Sequence, residues 1–362
     1  MTFGGLSRQG GSAVIRNFHG NPAAVETLTE MLATGRIPQT LLLSGPGGVG
    51  KATLVRRFAA VLLDASPTDT DKIEHDDLFL PHNAELLAER EKLPSDKRSD
   101  DPLMLASHPD FLTFPPDGPL RQISIQQIRL LKDQAQLNPS RGNRRVFLLD
   151  QIDRANEQAA NSLLKVLEEP PPHLIVFLTA ENAYDLLPTI RSRSVHIRLN
   201  RLPEQEIRAF LSRRGVGDAE RRARLGNGSP GLAAAIDLDL YDKRRAAMLN
   251  LLEVASRRAP FGNWIRTVEA IQASKSEKLD FYLEVLFLLL EDILMLAHGV
   301  GPIRNADLER PLKAIADAVS LPWMRTAVDR VDEMNRLLRR NIQKGIALDA
   351  LAIELRDMVP VG

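Results

Sequence analysis

The 362-residue sequence contains no cysteine, which excludes disulfide bonds and thiolate-ligated metal sites. It has no net charge either, because 47 basic residues balance 47 acidic ones. A protein without a positive overall field is not expected to bind nucleic acid strongly on its own, so any such contact should be local or shared with partner proteins. The lack of cysteine also fits a reducing, cytoplasmic compartment.

A long uncharged apolar segment is missing too. The longest apolar stretch, residues 285–290 and 293–297, is interrupted by Glu291 and Asp292. It is too short and too charged to cross a bilayer, so it predicts a buried helix in a helical domain and no membrane association. Residues 1–11 are polar and lack the apolar core of a signal peptide, which again indicates a cytoplasmic protein.

The pattern between residues 40 and 199 is that of an α/β domain. Short β-branched or leucine-rich runs alternate with helical periodicities, which is typical of a parallel sheet covered by helices. Strands are predicted at residues 40–43, 146–149, 174–178 and 195–199. Apolar stripes at spacings of three and four predict helices at Leu54, Phe58, Val61 and Leu62 and at Ala160, Leu163, Leu164 and Leu167.

An acidic segment interrupts this domain. Residues 64–101 contain 12 acidic and 5 basic side chains, and Pro67, Pro81 and Pro94 prevent one long helix. An acidic ligand site and a solvated surface excursion both fit such a charge run, and the excursion is the preferred interpretation. We therefore predict a domain of residues 1–200 with an exposed insertion at residues 64–107.

The remainder of the chain reads as helical. Short helices ended by glycine pairs predict a small lid at residues 201–240. Residues 241–362 show amphipathic helices without a catalytic motif, so a packing or oligomerisation domain is expected there. The apolar positions that indicate its last helices are Leu337, Leu338, Ile342, Leu348, Leu351 and Ile353.

A glycine-rich segment between the first predicted strand and the first predicted helix has the context of a phosphate-binding loop. Glycines let successive backbone amides surround phosphate oxygens, the helix N-terminus adds partial positive charge, and a lysine reaches the outer phosphates. The segment predicts a site for ATP, with a relic loop that binds nothing as the alternative. Its residues are Gly45, Pro46, Gly47, Gly48, Val49, Gly50 and Lys51.

The position after the lysine departs from the motif. Serine or threonine normally stands there and its hydroxyl ligates magnesium, whereas this chain has Ala52. Thr53 does not replace it, because one step along a helix rotates the side chain by about 100°. We therefore expect any nucleotide binding to have weakened metal coordination, and no other metal site is predicted.

A second acidic motif is also incomplete. The strand at residues 146–149 delivers Asp150 to its carboxyl end, where ligands collect in open parallel sheets, and it resembles a Walker B strand. An active ATPase of this type has a glutamate next, but this sequence has Gln151, which orients water without accepting its proton. A general base is worth about 10²- to 10⁴-fold in rate, so turnover should be slow or absent. A structural role for Asp150 as a turn cap is the alternative.

Four motifs together resemble those of bacterial DNA polymerase III clamp loader subunits of the AAA+ superfamily. They are the phosphate loop, the strand ending at Asp150, the helix of residues 161–169 stopped by two prolines, and residues 189–194. Residues 108–110 and 123–125 are two further short segments that resemble the family's sequences. Asn341 with residues 348–351 resembles the last helix of the family's collar domain more weakly. The resemblance spans roughly residues 15–240 and implies an AAA+ domain, a helical lid and an all-α collar.

The resemblance also assigns a role to Arg193. In the family this arginine reaches the ATP bound by the neighbouring motor subunit, and a guanidinium suits that task because it stays charged and pairs with two phosphate oxygens. Such arginine fingers are worth about 10³- to 10⁵-fold in nucleotide hydrolysis. A solvated arginine at a strand edge is the structural alternative.

Further departures separate the chain from the motor subunits of the family. Ala180, next to Thr179, occupies the first sensor position, and Gly231 stands where motors carry a sensor arginine. The four-cysteine zinc module common in the family is replaced by the acidic insertion, so no zinc is expected. In this family, the loss of residues needed for hydrolysis together with the retention of the arginine at the Arg193 position is the pattern of the delta-prime type.

The implied function is therefore regulatory. A delta-prime type subunit belongs to a hetero-pentamer with motor (gamma/tau) and delta subunits, and the complex places a sliding clamp on primer–template DNA in an ATP-dependent reaction. The chain itself is expected to be a weak or inactive ATPase and not a polymerase. An active gamma/tau-like motor is the alternative function.

Overall fold

The computed structural model describes residues 15, 18–274, 277–337 and 343–360. Contacts divide the chain into two compact units, Met1–Ala234 and Ala235–Gly362. The first unit contains a sheet covered by helices, and the second is helical. This confirms the predicted order of an α/β domain followed by helices, while the boundaries predicted at residues 200 and 240 stay predictions.

The sheet of the first unit has six strands in the order β2-β3-β4-β5-β1-β6. All neighbours are parallel except β2, which runs antiparallel to β3 at one edge. The four predicted strands are present, and two strands that were not predicted, β2 and β3, extend the sheet at one edge. The strands are β1 Thr40–Ser44, β2 Leu105–His108, β3 Phe111–Phe114, β4 Arg145–Leu149, β5 Leu174–Ala180 and β6 Val195–Arg198.

Helices cover both faces of this sheet. Alternate residues of a strand point to opposite faces, so Leu41 and Leu43 join one buried cluster whereas Leu42 joins the other. The helices of the unit are α1 Pro22–Thr34, α2 Lys51–Leu62, α3 Pro67–His75, α4 Pro81–Lys92, α5 Ser95–Asp100, α6 Ile125–Ala135, α7 Glu157–Glu168, α8 Pro188–Ser192, α9 Glu204–Arg213, α10 Ala219–Leu225 and α11 Pro230–Ala235.

The two predicted apolar stripes lie on α2 and α7. On α2, Leu54 and Phe58 are fully buried, whereas Val61 and Leu62 are only partly buried. On α7 the buried positions are Ala159, Leu163, Val166 and Leu167, so the stripe is rotated relative to the prediction. The helices were therefore predicted correctly and the buried faces approximately.

The acidic insertion is not a solvated excursion throughout, which corrects the preferred interpretation. Pro67 and Pro81 stand at the first positions of α3 and α4, where a proline starts a helix without losing a hydrogen bond. Ile73 is fully buried against the main core, and Leu87 forms a small cluster with Leu103 and Leu105. The charge composition of the segment did not reveal this packing, because only a few apolar residues make the buried contacts.

The second unit consists of helices packed on one another. The interrupted apolar stretch forms the long helix α14 and Asp292 is buried within it, as a helix inside a helical domain was predicted. Leu348 and Leu351 are buried, but Ile353 is 49% exposed and does not lie on the buried face. The helices are α12 Leu238–Ala255, α13 Phe261–Ala273, α14 Leu279–His298, α15 Glu309–Ala316, α16 Leu321–Leu337 and α17 Lys344–Asp357.

Leu338, Asn341 and Ile342 lie outside the described residues, so the predictions made on them stay predictions. Across the described ranges, no helix combines the length and the apolar character needed to cross a membrane.

Candidate nucleotide-binding loop and arginine finger

The glycine-rich segment forms a loop between the end of β1 and the start of α2. Gly48 and Gly50 have φ values of 71° and 97°, in the left-handed region that favours glycine. Lys51 is the first residue of α2, so the loop leads directly into the N-terminus of a helix, as the sequence predicted. The backbone is therefore that of a phosphate-binding loop.

The lysine of this loop is turned back onto the loop itself. Lys51 Nζ donates hydrogen bonds to the carbonyl oxygens of Gly45 at 2.5 Å and of Pro46 at 2.8 Å, and the residue is 8% exposed. Burial lowers the pKa of this amino group, and the negative charges of Glu181 and Asp150 oppose that shift. The amino group that the motif uses for the outer phosphates is therefore hydrogen-bonded to backbone carbonyl oxygens of the loop itself.

The start of helix α11 lies directly on the loop. The Gly231 N–H donates to the Gly48 carbonyl at 2.9 Å. A Cβ atom added at Gly231 would lie 2.8 Å from that oxygen, and one added at Gly48 would lie 2.6 Å from Leu232 Cγ. A real Cβ atom essentially never approaches another heavy atom this closely, so in this conformation Gly231 cannot be replaced without a shift of the backbone. The sequence showed the absence of an arginine there but not the backbone contact that takes its place.

A cavity of about 220 Å³ remains beside the loop. It is smaller than the roughly 300–1,000 Å³ of most ligand pockets. Ala52 and Thr53 both contribute to its wall, and the Thr53 hydroxyl accepts a hydrogen bond from Arg56 at 3.4 Å. Ala52 has no hydroxyl, so the position that the motif uses for magnesium lacks its usual ligand.

Two carboxylates flank the same cavity. Asp150 and Glu181 both line it, and Glu181 Oε1 lies 3.1 Å from where a Cβ of Gly47 would be. Negative charge so close to the loop disfavours a triphosphate by like-charge repulsion. In this conformation the residues do not fit a magnesium triphosphate.

Asp150 belongs to a buried polar network at the end of β4. Its carboxylate accepts a hydrogen bond from the Thr179 hydroxyl at 2.5 Å, and that hydroxyl in turn accepts the Gln151 N–H at 2.8 Å. Burial raises the pKa of Asp150, and the Thr179 hydrogen bond opposes the rise. Gln151 has a φ of 57°, so the residue at the catalytic position is held in an uncommon backbone conformation. The network connects the second motif to β5.

The insertion closes one side of the cavity. Asp77 Oδ2 lies 2.5 Å from the Arg56 guanidinium, which belongs to α2 and is 1% exposed. Leu78 and Phe79 follow and line the cavity, and Phe79 is 67% exposed. The acidic segment therefore supplies a wall of the cavity beside the loop, which the preferred interpretation as a solvated excursion did not anticipate.

Arg193 lies at the opposite end of the sheet from the phosphate loop. β6 runs parallel to β1 with Val195 opposite Leu41 and Arg198 opposite Ser44. Arg193 precedes β6, whereas the loop follows β1, and the three residue steps from Val195 to Arg198 alone span about 10 Å. The Arg193 side chain is 35% exposed, and its guanidinium donates to Glu168 Oε1 at 2.7 Å and to the Thr189 carbonyl at 3.2 Å.

The structure thus separates the predicted site residues into two groups. Residues 45–53, Asp150 and Gln151 meet at the carboxyl ends of the strands, and Arg193 stands apart from them at the amino ends. Sequence reasoning did not single out Glu181 or Glu168, which contact these groups, and it noted Thr179 only as a neighbour of the sensor position. A signal was available for Glu181, since a polar residue directly after a buried parallel strand lies at the same edge as Asp150.

The two short segments at residues 108–110 and 123–125 that resemble the family's sequences have structural roles. The Asp110 carboxylate accepts the backbone N–H groups of Ser140 and Arg141, each at 2.8 Å, and is fully buried. Ser124 caps helix α6 in a reciprocal capping box with Gln127. These residues stabilise the fold and do not face the loop cavity.

Several curated proteins that are similar to this chain are subunits of DNA polymerase III. Residues 88–203 match the family described as DNA polymerase III, delta subunit. The delta' subunit of Escherichia coli K12 is 26% identical over 298 residues, covering 82% of this chain and 81% of that protein. The delta' subunit of Pseudomonas aeruginosa is 30% identical over 154 residues, covering 42% of this chain and 40% of that protein.

A gamma/tau subunit is similar over a shorter part of its own length. The protein of Mycobacterium tuberculosis H37Rv is 30% identical over 247 residues, which is 63% of this chain and 39% of that subunit. The Escherichia coli delta' subunit, in contrast, is matched over most of both chains. These similarities confirm the resemblance to DNA polymerase III subunits that the four motifs predicted.

Proposed function

We propose that this relative of the bacterial DNA polymerase III delta' subunits is a delta-prime type subunit of a replicative clamp loader. In this role it assists ATP-dependent loading of a sliding clamp and donates Arg193 to the nucleotide of a neighbouring subunit. The observation that carries the proposal is the position of Arg193, partly exposed and at the opposite end of the sheet from the chain's own phosphate loop. A cation in that position cannot serve its own loop.

The state of the chain's own site supports a non-hydrolytic role. Lys51 is bound to two carbonyl oxygens, and Gly231 lies against the loop. Gln151 cannot act as a general base, which removes about 10²- to 10⁴-fold in rate. Binding of ATP requires Lys51 to leave its carbonyl partners and α11 to move, so we expect weak nucleotide affinity and weakened magnesium coordination.

The partners follow from the same proposal. A finger that acts on another subunit requires a complex in which Arg193 faces a competent site, such as a gamma/tau-type motor. We propose a hetero-pentamer that also contains a delta subunit, and contact with the clamp and with primer–template DNA through this complex. The zero net charge agrees with DNA contacts that are shared among subunits.

The finger is tested in a reconstituted complex with motor and delta subunits. Arg193→Ala should leave assembly intact and abolish the share of ATP hydrolysis that depends on the adjacent motor site, since such fingers supply about 10³- to 10⁵-fold. Arg198 is exposed at the carboxyl end of β6, so a complex with Arg198→Ala is the matched control and should hydrolyse ATP at the normal rate. Unchanged hydrolysis by an assembled Arg193→Ala complex refutes the trans role.

The chain's own site is tested on the isolated protein. We expect ATP turnover near the background rate, and a weak nucleotide titration signal that falls in Lys51→Ala. Turnover comparable to that of an ordinary motor would instead establish the gamma/tau-like alternative. Equal and negligible signals for both proteins would identify the loop as a relic.

A further inference from the structure

We infer that Glu168 is a positioning residue for Arg193: it orients the guanidinium for the neighbouring subunit's phosphate. This inference rests on the proposed role of Arg193 and adds a residue to it. Glu168 Oε1 accepts a hydrogen bond from the guanidinium at 2.7 Å, which is the length of a charge-assisted bond. The Thr189 carbonyl holds the other terminal nitrogen at 3.2 Å.

The location of Glu168 at the end of a helix favours a specific role for its contact with Arg193. Glu168 is the last residue of helix α7, where the partial negative charge of a helix end disfavours a carboxylate by about 0.3–1 kcal/mol. The residue is also 47% exposed, so packing does not require it. The guanidinium is the cation that makes a carboxylate acceptable at this place.

The backbone beneath Arg193 is fixed as well. α8 begins with Pro188, and its central residue Ile190 is buried in the same cluster as Leu163 and Leu167 of α7. The Ser194 hydroxyl donates to the Ile190 carbonyl at 2.8 Å. Both ends of the Arg193–Glu168 contact therefore stand on elements packed against one core.

The contact leaves the arginine able to bind phosphate. A guanidinium has five N–H donors, and Arg193 uses two of them in hydrogen bonds to other described residues. The remaining donors are enough for a bidentate pair with phosphate oxygens while Glu168 stays in place. Orientation before binding removes part of the rotamer entropy that a long side chain loses, and a group misplaced by about 1 Å costs roughly a hundredfold in rate.

The test compares Glu168 variants in the reconstituted complex with ATP as substrate. Glu168→Ala should lower kcat of the Arg193-dependent hydrolysis by roughly ten- to a hundredfold with little change in KM, because orientation acts in the transition state. Glu168→Gln keeps an acceptor oxygen in place and should retain most of the rate. Glu169→Ala, at the exposed neighbouring glutamate, is the matched control and should behave as wild type.

Two further variants separate positioning from structural effects. Glu168→Asp keeps the charge but withdraws the oxygen by one methylene, so it should fold normally and lose rate as Glu168→Ala does. In an Arg193→Ala background, Glu168→Ala should cause no additional loss.

Three outcomes overturn the inference. They are a rise in kcat for Glu168→Ala, which would mean that Glu168 restrains the finger, an unchanged kcat, or an equal loss in the Arg193→Ala background. An assembled Arg193→Ala complex with normal hydrolysis defeats the proposed function and this inference together, whereas the three outcomes above leave the proposed function standing.

Discussion

Two buried threonines of the same sheet should respond in opposite ways to replacement by valine. Thr179 of β5 and Thr113 of β3 are 0% and 1% exposed, and valine has nearly the shape of threonine. The Thr179 hydroxyl donates to Asp150 and accepts from the Gln151 N–H. The Thr113 hydroxyl has no hydrogen-bond partner among the described residues. Packing is nearly constant in both replacements, so the difference reports the hydrogen bonds.

The magnitudes follow from those contacts. Thr179→Val leaves a buried carboxylate without its donor and a backbone N–H without its acceptor, and each unmet group costs about 1–3 kcal/mol. We therefore expect the free energy of unfolding to fall by about 2–5 kcal/mol. Thr113→Val removes a hydroxyl that is buried without compensation, so it should be neutral or stabilising by up to about 2 kcal/mol.

The assay is urea denaturation of the purified chain followed by far-UV circular dichroism. Amide hydrogen exchange of peptides spanning residues 145–180 locates the effect, and protection there should fall in Thr179→Val and persist in Thr113→Val. Equal changes in the two variants, or a larger loss for Thr113→Val, would refute the assignment of the Asp150–Thr179–Gln151 network.

The remaining predictions concern Asp150 and Gly231. Burial raises the pKa of Asp150, so its ionised form costs folding energy at neutral pH, and Asp150→Asn should stabilise the chain above the folded-state pKa. That gain should vanish as pH falls through the raised pKa toward the ordinary value of 3.8, in denaturation measured across pH; a constant gain would contradict the assignment. Gly231→Arg should lower stability by about 1–3 kcal/mol without creating ATPase activity, because its Cβ meets the Gly48 carbonyl. Gly262→Ala has open space around it and should be neutral or stabilising by up to about 1 kcal/mol in the same urea denaturation.

Local sequence patterns were sufficient for the central strands and the phosphate loop. Residues 146–149 and 174–178 are continuous apolar runs that only a buried strand or helix accommodates, and their length favours a strand. The glycines of the loop fix the backbone by themselves, so the loop could be predicted without its surroundings. Strands β2 and β3 were missed because each has only four residues, with Pro109 between them.

Contacts between distant segments were beyond the sequence. The pairing of Asp77 with Arg56 joins residues 21 positions apart, and the pairing of Glu168 with Arg193 joins residues 25 apart. No periodicity encodes such pairs, since their charges look like ordinary solvated surface. The contact of Gly231 with Gly48 was hidden for a related reason, because a missing side chain gives no indication of what backbone approaches it.

The closed phosphate loop also bears on how such proteins diverge. Once the lid backbone rests on Gly48, any side chain at that position collides with Leu232, so folding alone selects for glycine after the ligand has ceased to matter. A glycine signature can therefore persist in lineages that have abandoned catalysis. A glycine signature alone therefore does not establish nucleotide hydrolysis, and the positions of Ala52 and Gln151 are the more informative ones to compare between relatives.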